Sequence, residues 1–262
     1  MPRIVRHIIN ISFAVLLTAA LVASYMLGAS HRKPITCKGL SICIPDSAAN
    51  QFIRPDEVRK ILDSEYSGYI GLPIDEIDLT KIESILDGKS AIYKSEAYAT
   101  KDSMLNVTIT QRKPIVRFQK GSKGFYADET GYLFPLQSTY ASHVQIVDGV
   151  IPLKNEDGYK GAPESAEDKQ WLERMISLVR HIDDSKVWKD KIVQITVEED
   201  GNLTLVPRDG KEKFIFGHPT DIESKFKKME LYYKAIKPSK TDKDYRWVDI
   251  RFDGQIVCRE EK

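Results

Sequence analysis

The sequence lacks the motifs that mark the common catalytic and metal sites. Its five histidines form no HxxxH or HExxH pair, so a helical metal site is not predicted. It contains no Gly-x-Ser-x-Gly elbow and no phosphate-binding glycine loop. We therefore expect no catalytic residue, no metal, no cofactor and no small-molecule substrate, and we expect a binding protein rather than an enzyme.

Cysteine is scarce, and the three residues present form an odd set. Cys37 and Cys43 lie on one expected strand, where an extended backbone holds them too far apart for a disulfide. The three cysteines form no CxxC pair, so a zinc site is not predicted. Small buried thiols are the favoured interpretation, with a disulfide to Cys258 left open.

Neither charge sign predominates. The chain has 39 basic and 38 acidic residues, a formal net charge of +1. An evenly mixed surface of this kind has no basic stripe for nucleic acid, so no nucleic-acid partner is expected. The sequence also has no internal repeat and no proline-rich linker.

One apolar run stands out against this polar background. Ile8–Ser30 holds 23 residues without a formal charge, and a helix of that length spans about 30 Å of hydrocarbon. We expect a single transmembrane helix, with residues 1–7 as a cytoplasmic tail and the rest outside. A cleaved signal peptide, whose apolar core is usually shorter, and a buried helix of a soluble domain are the alternatives. Arg3 and Arg6 precede the run, but basic residues also follow it, so the positive-inside bias is weak.

The first outer region is predicted to fold as strand, helix, helix, strand and strand. Pro55 suits the first turn of one helix, and Asp78 can cap the next. Alternation of apolar and polar residues from Leu105 to Thr110 indicates a half-buried sheet. The expected elements are Ile35–Ile44 (with a bulge at Gly39), helices beginning after Arg54 and Asp78, Ala91–Ala99 and Met104–Gln111.

The second region is richer in strands, so the fold class is α+β. Ser165 and Thr220 are each followed by an acid three residues later, the pattern of a helix capping box. Asp200-Gly201 indicates a hairpin. The expected strands are Phe125–Tyr126, Tyr132–Leu136, Val144–Val147, Ile192–Val197, Leu203–Val206 and one long closing strand, Trp247–Arg259.

A partner could bind at the closing strand. If that strand lies at a sheet edge, its backbone groups can accept a strand from another protein. Aromatic residues and arginine are typical anchors of interfaces, which nominates Tyr232, Tyr233, Arg251 and Phe252. The alternative is that Tyr233 and Phe252 are core residues and only Tyr232 and Arg251 lie at the surface.

Three motifs, together with the apolar run and the element order, resemble the bacterial cell-division family FtsQ/DivIB. Gln111-Arg112-Lys113-Pro114 looks like the family's exit from a POTRA domain. Phe125–Gly131 is similar to the stretch that opens its second domain, and Trp247–Phe252 to its closing strand. The short tail and Gln255–Cys258 depart from the better-known forms. The tail and the Asp253–Cys258 ending look like members from Bacteroidetes.

The resemblance implies a non-enzymatic scaffold of the divisome. It places a POTRA domain at residues 31–113 and a β domain at 114–262, in the periplasm, with the anchor in the inner membrane and the protein enriched at the division site. It implies that FtsB-like and FtsL-like proteins bind by adding a strand at the closing strand. The interface it implies consists of Arg251, Phe252 and Gly254, with Tyr232 or Tyr233 nearby and Ile256 as a position where proline should block pairing.

Two other classes of protein stay open at this stage. A POTRA-bearing component of envelope translocation or assembly would carry a β-barrel or further POTRA repeats. An anchored cell-wall enzyme would need a pocket with converging titratable groups, and no spacing in the sequence suggests one.

Overall fold

The computed structural model describes residues 3–30, 35–48, 50–121, 123–138, 140–153, 158–239 and 245–260. The first helix, α1, spans Arg3–Ser30. Its side chains are described for residues 11–26, and all of them are exposed. Within the described ranges, no helix combines the length and apolarity that a membrane crossing requires. The span expected at Ile8–Ser30 is therefore not confirmed.

The next region has the expected order of strand, helix, helix, strand and strand. Its three strands form a sheet in the order β1-β3-β2, with β1 parallel and β2 antiparallel to β3. The elements are β1 Gly39–Cys43, α2 Pro55–Glu65, α3 Leu79–Asp87, β2 Ile92–Ala99 and β3 Met104–Gln111.

Two details of the first expected strand are wrong. It begins at Gly39 rather than Ile35, because residues 35–37 pair instead with the loop 71–74 through hydrogen bonds such as Cys37 N–H to the Leu72 carbonyl. The irregularity in this sheet lies between Ile92 and Lys94 and not at Gly39. Cys37 is buried, whereas Cys43 is exposed and Cys258 half-buried, and all three are thiols rather than disulfides.

Helical periodicity explains how α2 and α3 cover this sheet. Each helix buries two residues four apart on one face, Val58 and Leu62 in α2 and Ile82 and Leu86 in α3. They pack on the alternating buried residues of β3. Asp78 caps α3 as expected, since its carboxylate accepts a hydrogen bond from the Lys81 N–H at 2.9 Å.

The second region is a nine-stranded mixed sheet with two helices. Its strand order is β12-β11-β10-β9-β8-β7-β4-β5-β6. The strands are β4 Pro114–Lys120, β5 Lys123–Asp128, β6 Leu133–Pro135, β7 Gln145–Gly149, β8 Ile192–Val197, β9 Leu203–Pro207, β10 Lys213–Gly217, β11 Trp247–Asp249 and β12 Val257–Arg259, and the helices are α4 Ala166–Asp184 and α5 Ile222–Leu231.

Both helices pack into one core with this sheet. Buried residues of α4, such as Met175 and Val179, and of α5, such as Phe226, share that core with β9, β10 and β11. Ser165 caps α4 as expected, accepting from the Asp168 N–H at 3.0 Å. The cap expected at Thr220 is wrong: α5 begins after Asp221, which adopts a left-handed conformation at φ +52°.

Aromatic rings join the two sheets. Phe52, from the loop before α2, lies nearly perpendicular to the rings of Tyr126 in β5 and Phe134 in β6, with centroids 5.5 and 5.8 Å away. Phe52 is 3 % exposed, so this contact is a small core of its own. The two regions are therefore packed against each other and not merely linked in sequence.

Candidate partner-binding edge

The closing segment is a hairpin and not one long strand. β11 ends at Asp249, the chain turns through residues 250–256, and β12 returns antiparallel to β11. The expectation of one strand from Trp247 to Arg259 is therefore wrong. Gly254 sits in the turn at φ +68°, a conformation that glycine adopts without strain. Apolar residues alternate with polar ones from Val248 to Phe252, and this pattern predicts a strand although Ile250 and Phe252 already lie in the turn.

The turn moves the sheet edge from β11 to β12. β11 is parallel to β10 on one side and pairs with β12 on the other. Trp247 lies opposite Arg259, and the Arg246 N–H donates to the Arg259 carbonyl at 2.8 Å. Among the described residues, no strand lies beyond β12. The expected partner edge thus exists, but β12 forms it.

Exposed apolar side chains lie on and beside this edge. Phe252, in the turn, is 44 % exposed, and Val257, on β12, is 38 % exposed. Gly254 is also exposed, whereas Ile256 is half-buried against the core of the β domain. The sequence nominated Phe252, Gly254 and Ile256 but missed Val257, which alternation alone could have placed on an exposed face.

Tyr232 has no surface to offer a partner. It is 1 % exposed and meets Phe214 of β10 edge-on, with ring centroids 5.4 Å apart. Tyr233 is half-buried, and the Lys191 ammonium lies 3.9 Å from its ring centroid. α5 passes into a π-helical turn at Tyr232–Ile236, in which both adjacent tyrosines contact Phe214. They support β10 from the core side.

Arg251 forms an ion pair next to the edge. Its Nε and Nη2 donate to the two carboxylate oxygens of Asp249 at 3.0 and 2.7 Å. Burial alone would raise the pKa of Asp249, but the hydrogen bonds from Arg251 outweigh it, so the pKa lies below its usual range. Gly217 lies alongside, and a Cβ there would come within 2.8 Å of the Arg251 side chain. The Arg251 side chain therefore stabilises the end of β11.

A lysine of α5 binds the backbone of the turn that follows β11. The Lys228 ammonium donates to the Ile250 carbonyl at 3.2 Å and to the Phe252 carbonyl at 2.6 Å. A charged donor strengthens such bonds relative to neutral ones. Because Lys228 binds the backbone on both sides of Arg251, the side chain of Phe252 is presented from an anchored turn.

Replacing Arg251 by alanine should lower the free energy of unfolding by about 2 kcal/mol at neutral pH, because buried Asp249 loses its charged partner. The loss is smaller than for a fully buried pair, because Arg251 is partly exposed and water screens its charge. Since the pKa of Asp249 is lower in the folded state, the ion pair stabilises the fold at pH values above the unfolded-state pKa of about 3.9. The difference between the two proteins should shrink as the pH falls below about 4. Urea unfolding at pH 7 and pH 3 measures it, and a pH-independent difference would contradict the role of the pair.

The fold defines a class: a POTRA-like domain followed by a sheet domain that ends in an edge strand. Two family models match in that order. The POTRA-like domain model covers residues 35–110, and the model described as FtsQ/DivIB, C-terminal related, covers residues 113–259. Since the second match covers the greater part of the chain, the chain belongs to the FtsQ/DivIB family.

A curated relative agrees with this assignment. The chain is similar to "Cell division protein FtsQ" of Salinibacter ruber (strain DSM 13855 / M31), with 21 % identity over 261 residues. The match covers 97 % of this chain and 94 % of the relative. The family resemblance carried by the sequence motifs is thereby confirmed, and the chain is a member of a family of cell-division proteins.

Proposed function

We propose that this protein is a non-enzymatic, single-pass membrane scaffold of the divisome, which binds FtsB-like and FtsL-like partners during septum formation. A partner segment adds as a strand beside β12. The observation that carries this proposal is the position of β12 at the end of the nine-stranded sheet, with Phe252 and Val257 exposed beside it.

Strand addition suits this edge for two reasons. An edge strand offers backbone groups that any extended segment can pair with, and neighbouring side chains then determine which segment is preferred. The edge here is only three residues long, so backbone pairing alone supplies few hydrogen bonds. Phe252 and Val257 supply the apolar contacts that make the pairing selective.

The membrane placement rests on the first helix. α1 has 28 residues, and its described apolar side chains, including Phe13, Leu16 and Leu21, are exposed. Burying so much apolar surface in hydrocarbon is favourable. With α1 in the inner membrane, the POTRA-like and β domains lie in the periplasm at the division site, and single-pass partners reach β12 by running outward beside the chain.

Replacing Phe252 by aspartate should weaken partner binding roughly 30-fold, the effect of losing a central apolar anchor. The measurement is co-purification of the full-length chain, in detergent, with the FtsB-like and FtsL-like proteins of the same organism. Val187→Asp is the matched control, because Val187 is similarly exposed but lies in the loop between α4 and β8. Equal binding by Phe252→Asp and Val187→Asp, with the fold intact, would overturn the proposal.

A further inference from the structure

Four strands lie at sheet edges in the described part of the chain, β1, β2, β6 and β12, and β2 is the longest of them. β2 spans eight residues and ends the three-stranded sheet, since β3 is its one neighbour among the strands of the described residues. By length alone, β2 is the better template for strand addition. A partner segment that recognised only an exposed backbone would therefore favour the POTRA-like domain over β12.

Side chains of α3 occupy the outer side of β2. The Ser95 N–H donates to the Asp87 carboxylate at 2.7 Å, and the Ala97 N–H donates to the Glu83 carboxylate at 2.7 Å. The Ser95 hydroxyl also donates to Asp87, at 2.7 Å. Two successive outward amides of the edge are thus bound by carboxylates from the same protein.

The spacing of the two carboxylates on α3 matches the spacing of the two amides on β2. Glu83 and Asp87 are four residues apart, which places them about 6 Å apart along one face of α3. Ser95 and Ala97 are two residues apart, which separates their amides by about 6.6 Å along β2. The two spacings agree, so one helical turn can cap two outward amides of the strand.

The opposite edge of the same sheet is also engaged. The Arg59 side chain of α2 donates to the Leu40 carbonyl of β1 at 3.2 Å. Just before β1, residues 35–37 pair with the loop 71–74. Carboxylates therefore cap amides at one edge, and a guanidinium caps a carbonyl at the other.

We infer that Glu83 and Asp87 are specificity-determining residues: they keep strands of a partner, or of a second copy of this chain, off β2 and so restrict strand addition to β12. The restriction to β12 rests on the proposed function, whereas the protection of β2 does not. An incoming strand would have to replace charge-assisted bonds with neutral ones, and its carbonyl oxygens would face two carboxylates.

The first test is hydrogen exchange of full-length Glu83→Ala/Asp87→Ala, measured by mass spectrometry with fragmentation across β2. The Ser95 and Ala97 amides should exchange about tenfold faster or more, because each loses a hydrogen bond to a charged group. Asp75→Ala/Glu76→Ala is the matched control, since it removes two exposed acids from the turn before α3. Unchanged exchange at Ser95 and Ala97 would overturn the inference.

The second test is self-association, measured by sedimentation velocity. Glu83→Ala/Asp87→Ala should associate through β2 more than the unaltered chain does, and adding Ala97→Pro, which removes an outward amide without touching the pairing with β3, should abolish that added association. Faster exchange without any association would overturn the role in specificity. Failure of the proposed function is seen separately, as undiminished partner binding by Phe252→Asp, and leaves both results on β2 unaffected.

Discussion

Replacing Arg112 by alanine is expected to lower the free energy of unfolding by about 3–5 kcal/mol, because it leaves a buried carboxylate without its charged partner. Arg112 Nη1 lies 2.8 Å from Asp128 Oδ2, and the two side chains are only 11 % and 6 % exposed. The guanidinium carbon also lies 3.5 Å from the ring centroid of Tyr132. The substitution removes the ion pair and the stacking contact together, as chemical denaturation of the full-length chain would show.

Two controls separate these contributions. Arg112→Lys keeps the charge but loses the planar group that stacks on Tyr132, so it should cost less than alanine but still about 1–2 kcal/mol. Arg54→Ala removes an arginine from an exposed pair with Asp56 and should cost less than about 1 kcal/mol. If Arg112→Ala were no more harmful than Arg54→Ala, the pair would not hold the junction between the two regions.

Replacing Cys258 by proline is expected to weaken binding of the FtsB-like partner by about 100-fold, since the proline ring obstructs a strand that adds beside β12. Val257 and Arg259 lie opposite Asp249 and Trp247, and the Arg259 carbonyl accepts from the Arg246 N–H, directly before β11. Backbone groups of alternate residues point to opposite sides of a strand, so the Cys258 amide faces away from β11. Proline there leaves the pairing with β11 in place, as edge strands tolerate.

Cys258→Ala is the matched control for this substitution. It removes the thiol but keeps the amide, so it should bind the partner like the unaltered protein. Binding constants measured for both variants by calorimetry separate the two groups. Equal weakening by alanine and proline would show that the side chain, and not the backbone of β12, makes the contact.

Local patterns predicted the first outer region well. The apolar spacing in α2 and α3, and the alternation along β3, each require one buried face, which leaves few arrangements. The cap at Asp78 followed from its position directly before the apolar repeat. Pairing of residues 35–37 with the loop 71–74 was not predicted, because contacts between distant segments leave no local pattern.

The second region was predicted less completely. β4 and β10 were both missed: β4 does alternate, with Val116 and Phe118 buried between Arg117 and Gln119, but its alternation is short, and β10 holds only five residues. Arg112 and Asp128 belong to two separate sequence motifs, and the structure shows that they form one ion pair. A motif identifies residues that matter, but the folded chain is needed to show which of them meet.

The candidate site was also predicted only in part. The sequence placed an interaction edge at the closing segment, and β12 does lie at the sheet edge. It took Tyr232 for a surface residue, which the packing on Phe214 excludes. Adjacent residues such as Tyr232 and Tyr233 lie about 100° apart around a helix, so helical spacing does not predict that both contact Phe214.

A disulfide cross-linking scan can show whether a partner segment pairs with β12 as a strand. In a background with Cys43 and Cys258 replaced by alanine, Val257→Cys and Arg259→Cys are each combined with single cysteines along the FtsB-like partner. Strand pairing predicts cross-links at every second partner residue, shifted by two residues between the two positions. Cross-links spaced by three or four residues, or none at either position in a complex that still forms, would contradict it.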